Sequence, residues 1–473
     1  MQWEPTPQTF PHGLAWLHEQ TGYWWQLHNR YWSSDCDYAT QNNGSYEFFI
    51  PGSNCSDATG NLNVKDWQDQ GCTKPGQFSL PTSASLFEDI MRNATRWGMV
   101  AYEQDWLDFE SDEVVAKDTD VAAGGDWMAA LGHGAAAANV GVQLCMSHTR
   151  HVLAAAQQRH ITQTRASNDY KEMGSDQWDI GRSSLFADAL GLAPSKDSYW
   201  SSINQQQPPD GACCGPGCGK CGGPSTGRRD YYSRLNSAIA TLSTGPVAFS
   251  DRIGLENRVA IMKSCMANGT LLQPGRALTA IDAVFLGMAF TDDAARPNGV
   301  VMTTESVIGG HRWGLVLAAE LKVAYELPVS TIFSADSSMP APAEHVVVES
   351  NFTMNSTAKV HIVPRGGTFL LPVSDKVNFT LHSLAPVSVS GWALLGELSK
   401  WVPVSAARFK AVATSGGVPT AKIAGMEGEV VAVSFYRKAS STGAASVVTC
   451  SCVLPASGTM TVSGADPKCH SAA

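Results

Sequence analysis

The chain has 473 residues, 44% of them hydrophobic, enough for the core of one large domain and a smaller one. A net charge of -10, a pI near 5.6 and no run of Lys or Arg exclude the electrostatic footprint of a nucleic-acid binder and suit a neutral partner.

Residues 13–32 place an apolar, aromatic run at 22–27 directly before His28, Asn29, Arg30 and Tyr31, which reads as a strand delivering polar groups at its end. The loop over 33–81 is long, polar and holds Cys36, Cys55 and Cys72; a disulfide joining at least one pair would pin it. Ser85 and Glu88 read as a capping box, and Leu86, Phe87, Ile90, Met91, Ala94 and Trp97 follow at helical spacing until Gly98. Met99 to Tyr102 is then short and apolar, as a buried parallel strand should be. Glu103, Gln104, Asp105 and Asp108 fall at its carboxyl end, the end at which side chains from several strands converge in α/β barrels.

The pattern repeats downstream. An Ala-rich helix over 126–139 leads to a strand at 140–146 that ends in Ser147, His148 and Arg150. A helix at 152–159 leads to a strand at 160–164 followed by Arg165, Ser167, Asn168, Asp169 and Tyr170. A helix at 183–190 leads to Lys196, Asp197, Tyr199 and Trp200, and a helix at 231–242 to a segment ending in Asp251. Six strand ends alternating with helices predict a parallel, barrel-like α/β sheet. The run 127–147 is apolar but broken by Gly132, His133, Gly134 and Asn139, so a soluble protein with no membrane span is expected. Cys213, Cys214, Cys218 and Cys221 lie within nine residues, too compressed for two separated zinc ligand pairs; disulfides are favoured there and no metal is expected. Beyond about residue 295 the texture becomes alternating Val, Thr, Ser and Leu with Gly and Pro, a β-sandwich pattern in which Cys450, Cys452 and Cys469 would staple the end.

Twelve cysteines and Asn-x-Ser/Thr patterns at Asn43, Asn54, Asn93, Asn268, Asn351, Asn355 and Asn378 favour a glycosylated, disulfide-bearing protein of the secretory pathway, extracellular or lysosomal/vacuolar. Met1-Gln-Trp-Glu-Pro has neither the basic start nor the apolar stretch of a signal peptide. Fourteen Trp and eleven Tyr fit a carbohydrate site, where sugar faces lie on aromatic rings, although core packing accounts for most aromatics equally well.

In order, these strand ends resemble the α-galactosidase and raffinose/stachyose synthase-like glycoside hydrolases. The segment before His28 is similar to their third barrel strand, 99–105 to the fourth, 140–148 to the fifth, 164–170 to the sixth and Lys196-Asp197 to the seventh. The Gly-Pro-Val-Ala-Phe-Ser-Asp turn at 245–251 is the most specific match, to the eighth. The resemblance implies a (β/α)8 TIM-type barrel over 1–295, lacking its first strands in this chain and so suggesting truncation, followed by an all-β sandwich domain over 296–473. It implies retaining hydrolysis or transfer of α-linked, α-galactoside-like sugars, an oligosaccharide or glycoside substrate, and no cofactor. By position, Asp105 matches the nucleophile and the Ser167-Asn168-Asp169 turn the acid/base. Such chemistry needs two carboxyls about 5 to 5.5 Å apart. His28 or Arg165 would hold the Asp105 pKa low, and Trp25, His28, Glu103, Trp106, His148, Arg165, Asn168, Asp197 and Asp251 are the expected substrate-binding residues. For His148 a structural role, and for Asp197 and Asp251 a loop-orienting one, stand beside that reading.

Two departures matter. Glu103 stands where the family often has Lys, and Asn168 stands where its acid/base carboxylate usually follows the Ser. Either Asp169 takes that role through a shifted turn or the acid is missing, and the second case describes a carbohydrate-binding pseudoenzyme.

Overall fold

A computed structural model describes residues 3–33, 35–49, 79–113, 120–171, 177–205, 228–289, 297–333, 342–350, 359–439, 444–466 and 469–471. They form two compact units, residues 1–165 with 187–194 and residues 166–186 with 195–473. Cys55, Cys72, the 213–221 thiols, Asn54, Asn351 and Asn355 lie outside the described residues.

The first unit is organised by a parallel sheet of five strands in the order β1-β2-β3-β4-β5: β1 (Trp25–Asn29), β2 (Met99–Gln104), β3 (Gly141–Leu144), β4 (Ile161–Arg165) and β5 (Ala193–Ser195). Helices occupy the connections: α1 (Gly13–Thr21) before β1, α2 (Ala84–Thr95) before β2, α3 (Leu107–Glu113) and α4 (Ala123–Ala138) before β3, α5 (Thr149–Ala155) before β4 and α6 (Gly181–Ala189) before β5. This is the expected (β/α) barrel in incomplete form. Parallel strands need such crossovers, and their helices cover the sheet.

The apolar stripe of α2 is buried as its spacing requires, through Leu86, Phe87, Ile90, Met91 and Ala94. Its start differs from expectation. The helix begins after Ser83 with no side-chain cap, so Ser85 lies inside the first turn and cannot form the capping box. Its exit needs glycine. Gly98 sits at φ +90°, and a Cβ there would meet the His18 ring at 2.6 Å. Helix α4 approaches α2 at Gly134, where a Cβ would lie 2.4 Å from Phe87. Small residues in the Ala-rich helix therefore serve close helix packing.

Among the described residues five strands form this sheet. The 245–251 segment contributes a single parallel bridge, Phe249 to Tyr199, in the second unit. Gly245 and Pro246 interrupt the strand pattern at its start, and Pro lacks an N–H for the ladder.

The second unit continues with helix Ser233–Leu242, buried along its length, and then antiparallel sheets. Strands His311–Ala319, Thr380–Pro386 and Glu344–Glu349 lie side by side in one of them. Trp313, Val346, Leu394, Phe409, Val433, Phe435 and Val462 share one apolar cluster across several sheets. Arg408 is fully buried between Glu397 and Glu429, donating at 2.7 Å to the first and 2.5 Å to the second. His345 and His382 are also buried, and neither Nδ1 has a hydrogen-bond partner among the described residues. Among the described residues one disulfide, Cys452–Cys469, ties the last strand in, and Cys450 and Cys36 are buried free thiols. The expected staple therefore involves two of its three candidates. Among the described residues no helix is long and apolar enough to cross a membrane.

Candidate functional site

The register of the sheet assembles the site in the first unit. His28 lies opposite Glu103, Glu103 opposite Gln143, and Gln143 opposite Gln163, so one row of polar side chains crosses β1 to β4 on a common face. His28, Asn29, Glu103 and Gln104 lie within strands, not after them as the sequence suggested. Asp105 is the first residue beyond β2, two after Glu103, and its N–H donates to the Asn29 carbonyl at 2.9 Å.

His28 Nε2 is 3.0 Å from Asp105 Oδ2. Burial pushes the Asp105 carboxyl up, but hydrogen bonds from the His28 and Cys145 side chains and the Trp106 backbone outweigh it, and its pKa ends below the ordinary value. His28 is raised, chiefly by its bond to Asp105 and with help from the Glu103 charge, against burial and the Arg30 charge. Each shift favours the charged form of its group. The second Asp105 oxygen, Oδ1, is buried with no partner in hydrogen-bond geometry among the described residues. Glu103 is held separately, accepting from Gln26 Nε2 at 2.9 Å, while the same amide reaches Gln143 Oε1 at 3.3 Å.

Beneath Asp105 lies a polar hub absent from the sequence expectation. Gln104 is fully buried, and its Oε1 accepts from Tyr102 Oη at 2.7 Å, Trp32 Nε1 at 3.0 Å and Asn29 Nδ2 at 3.4 Å. Its Nε2 donates to the Asp105 carbonyl at 3.1 Å and to Glu110 Oε2 at 3.2 Å. Glu110, also fully buried, accepts the Trp32 N–H at 2.5 Å. A satisfied buried network of this kind fixes geometry because each broken bond strands a polar group. It braces an unusual turn, with Trp106 at φ +51°.

Trp106 is 8% exposed, with Arg30 stacked 3.9 Å from its ring centroid and Tyr31 and Phe109 at 5.7 and 5.2 Å. It is a buried brace more than an open platform. Trp25 lies at the start of β1 opposite Met99, at the far end of the strands from Asp105. His148 begins α5, where its N–H donates to His151 Nδ1 at 3.0 Å and the two rings stack. Arg165 Nη1 reaches the Cys145 sulfur at 3.5 Å.

Asn168, Asp169, Asp197 and Asp251 belong to the second unit. Asn168 and Asp169 are exposed, in a turn held by Asp197, whose N–H donates to Ser167 Oγ at 2.8 Å and whose Oδ2 accepts the Tyr170 N–H at 2.6 Å. Asp251 accepts the N–H groups of Ser201 and Ser202 at 2.9 and 3.1 Å and the Gln205 amide at 2.6 Å. Both aspartates spend oxygens on orienting loops. Among the described residues no cluster of three or more His, Cys, Asp or Glu is arranged to hold a metal.

No protein-family model matches the chain, and no curated protein sequence does. Solved structures do. A GH27 β-L-arabinopyranosidase from Geobacillus stearothermophilus superposes with a TM-score of 0.50 at 12% identity, over 82% of this chain and 81% of that one. A Bacillus halodurans C-125 protein provisionally named an α-N-acetylgalactosaminidase gives 0.45 at 11% identity, over 81% and 82%. At the level of the fold, the expected likeness to α-galactosidase-like glycoside hydrolases holds: an incomplete (β/α) barrel followed by antiparallel β sheets, similar to the GH27 enzyme.

Proposed function

We propose that the protein is a glycoside hydrolase acting on α-linked, galactoside-like sugars with retention, and that the same covalent intermediate permits transfer to a second sugar. The observation that carries this is Asp105: a carboxylate at a strand's carboxyl end, its pKa lowered and its orientation fixed by His28, on a fold shared with a GH27 enzyme. Asp105 attacks the anomeric carbon and Asp169 protonates the leaving oxygen, then recovers the proton from water or acceptor. Asp169 is the carboxylate nearest in sequence to the position that Asn168 fills. Secretion is part of the reading, supported by the Cys452–Cys469 disulfide and by exposed acceptor asparagines at Asn43, Asn268 and Asn378.

The test is turnover of 4-nitrophenyl α-glycosides by the wild type, Asp105→Asn and Asp169→Ala. Asp105→Asn abolishes turnover. Asp169→Ala slows it by roughly 10²- to 10⁴-fold, and added azide restores it on substrates with good leaving groups. Asn168 favours one alternative, a carbohydrate-binding pseudoenzyme: glycan affinity without wild-type turnover, nearly unchanged by Asp105→Asn, establishes that reading instead.

A further inference from the structure

Arg30 is exposed and is the first residue beyond β1, as Asp105 is the first beyond the neighbouring β2. Its guanidinium carbon lies over the Trp106 ring, 3.9 Å from the centroid, and Trp106 is itself packed with Tyr31 and Phe109. Glu103, Asp105 and Arg30 all act on His28 electrostatically, yet Arg30 forms no ion pair with either carboxylate among the described residues. Glu103 is engaged by Gln26 and Asp105 by His28. Among the described residues the guanidinium donates to no acceptor. A planar fork with its donors free, stacked on an aromatic face, has already lost the side-chain freedom that binding would otherwise cost.

We propose that Arg30, braced on Trp106, binds an oxyanion carried by the substrate, a carboxylate, sulfate or phosphate group. The proposal rests on the reading of Asp105 as the reacting centre. It gives a chain of net charge -10 a local preference opposite to its overall field. Glu103 and Asp105 oppose an incoming anion, Arg165 favours it, and Arg30 supplies the directed donors.

Calorimetric binding of D-galacturonate and D-galactose to the wild type, Arg30→Met and Arg30→Lys tests it. The wild type prefers the uronate by about 10-fold or more, Arg30→Met loses that preference, and Arg30→Lys keeps part of it. Inorganic phosphate provides a second arm. Competition with the uronate, lost in Arg30→Met, shows that a free oxyanion suffices; no competition shows that the sugar must carry the group. Equal binding of the two sugars, or a preference that survives Arg30→Met, overturns the proposal. Binding is read without turnover. A protein that hydrolyses no α-glycoside yet shows the Arg30-dependent preference refutes the catalytic reading and leaves this site standing, whereas turnover with no preference refutes this site alone.

Discussion

The two buried histidines of the second unit make acid stability calculable. His345 stacks on Phe333 at 5.1 Å, the tilted ring of Phe369 lies 5.5 Å from His382, and burial is the main cause that lowers the pKa of each from 6.5 to about 4. His361 and Lys359 add positive charge near His382, reinforcing the effect, and Glu349 lies opposite His382 on the neighbouring strand. For a base whose folded pKa is depressed, the unfolded chain holds the extra proton between the two values. Stability is then full above pH 6.5 and falls as the pH drops towards 4. Each histidine costs about 2 kcal/mol at pH 5 and about 3 kcal/mol below pH 4, so the pair removes about 4 kcal/mol at pH 5. Against a typical total of about 5–15 kcal/mol this is large. Urea unfolding at pH 7.5, 6 and 5 measures it, with the double variant His345→Leu/His382→Leu as the comparison. Neither Nδ1 has a partner among the described residues, so the replacement breaks no hydrogen bond at that atom. A wild type equally stable at pH 7.5 and 5, or a double variant with the same pH dependence, refutes the reasoning.

Other perturbations read other parts of the structure. His28→Ala removes the main donor to Asp105, so the acid limb of a pH–rate profile moves to higher pH. Gln104→Leu strands the donors of Trp32 and Tyr102 and frees the Asp105 carbonyl; kcat is expected to fall at least 10-fold with a smaller change in KM, by steady-state kinetics. Arg408→Ala leaves Glu397 and Glu429 buried without their cation and costs about 3–5 kcal/mol in equilibrium unfolding. Reduction of Cys452–Cys469, which spans 17 residues, lowers stability by about 3 kcal/mol, measured by urea unfolding with and without dithiothreitol.

What could be read from the sequence was what depends on local pattern. The short apolar run before Glu103 and Asp105 marks β2 and its carboxyl end, and the same texture before His28 marks β1, because period and burial are written into neighbouring residues. The sequence offered His28 or Arg165 as the donor to Asp105, and the structure pairs Asp105 with His28, at the same end of the parallel strands. Gln104 and Glu110 were not legible. Their importance arises from Trp32 and Tyr102 meeting them in three dimensions, and a lone Gln between two acids carries no such signal. Trp25 was expected to bind substrate, while the strand starts only at Trp25 and places it at the far end from Asp105. The choice of Cys452 over Cys450 for Cys469 was equally hidden: both are buried positions two apart on one strand.

The Gln104 hub has a consequence for how this protein can drift. The side chain that steadies the Asp105 backbone is locked to Trp32, Tyr102 and Glu110, with an oxygen that only receives and an amide that only gives. Replacements at those distant positions act on Asp105 without touching a ligand. Random mutation would score them as loss of function while the mouth of the sheet stayed intact, so the residues that matter to Asp105 extend well past its immediate neighbours. A lineage that relaxed its catalytic demand would free these residues together with Asp105, and their joint divergence among homologues would date that loss.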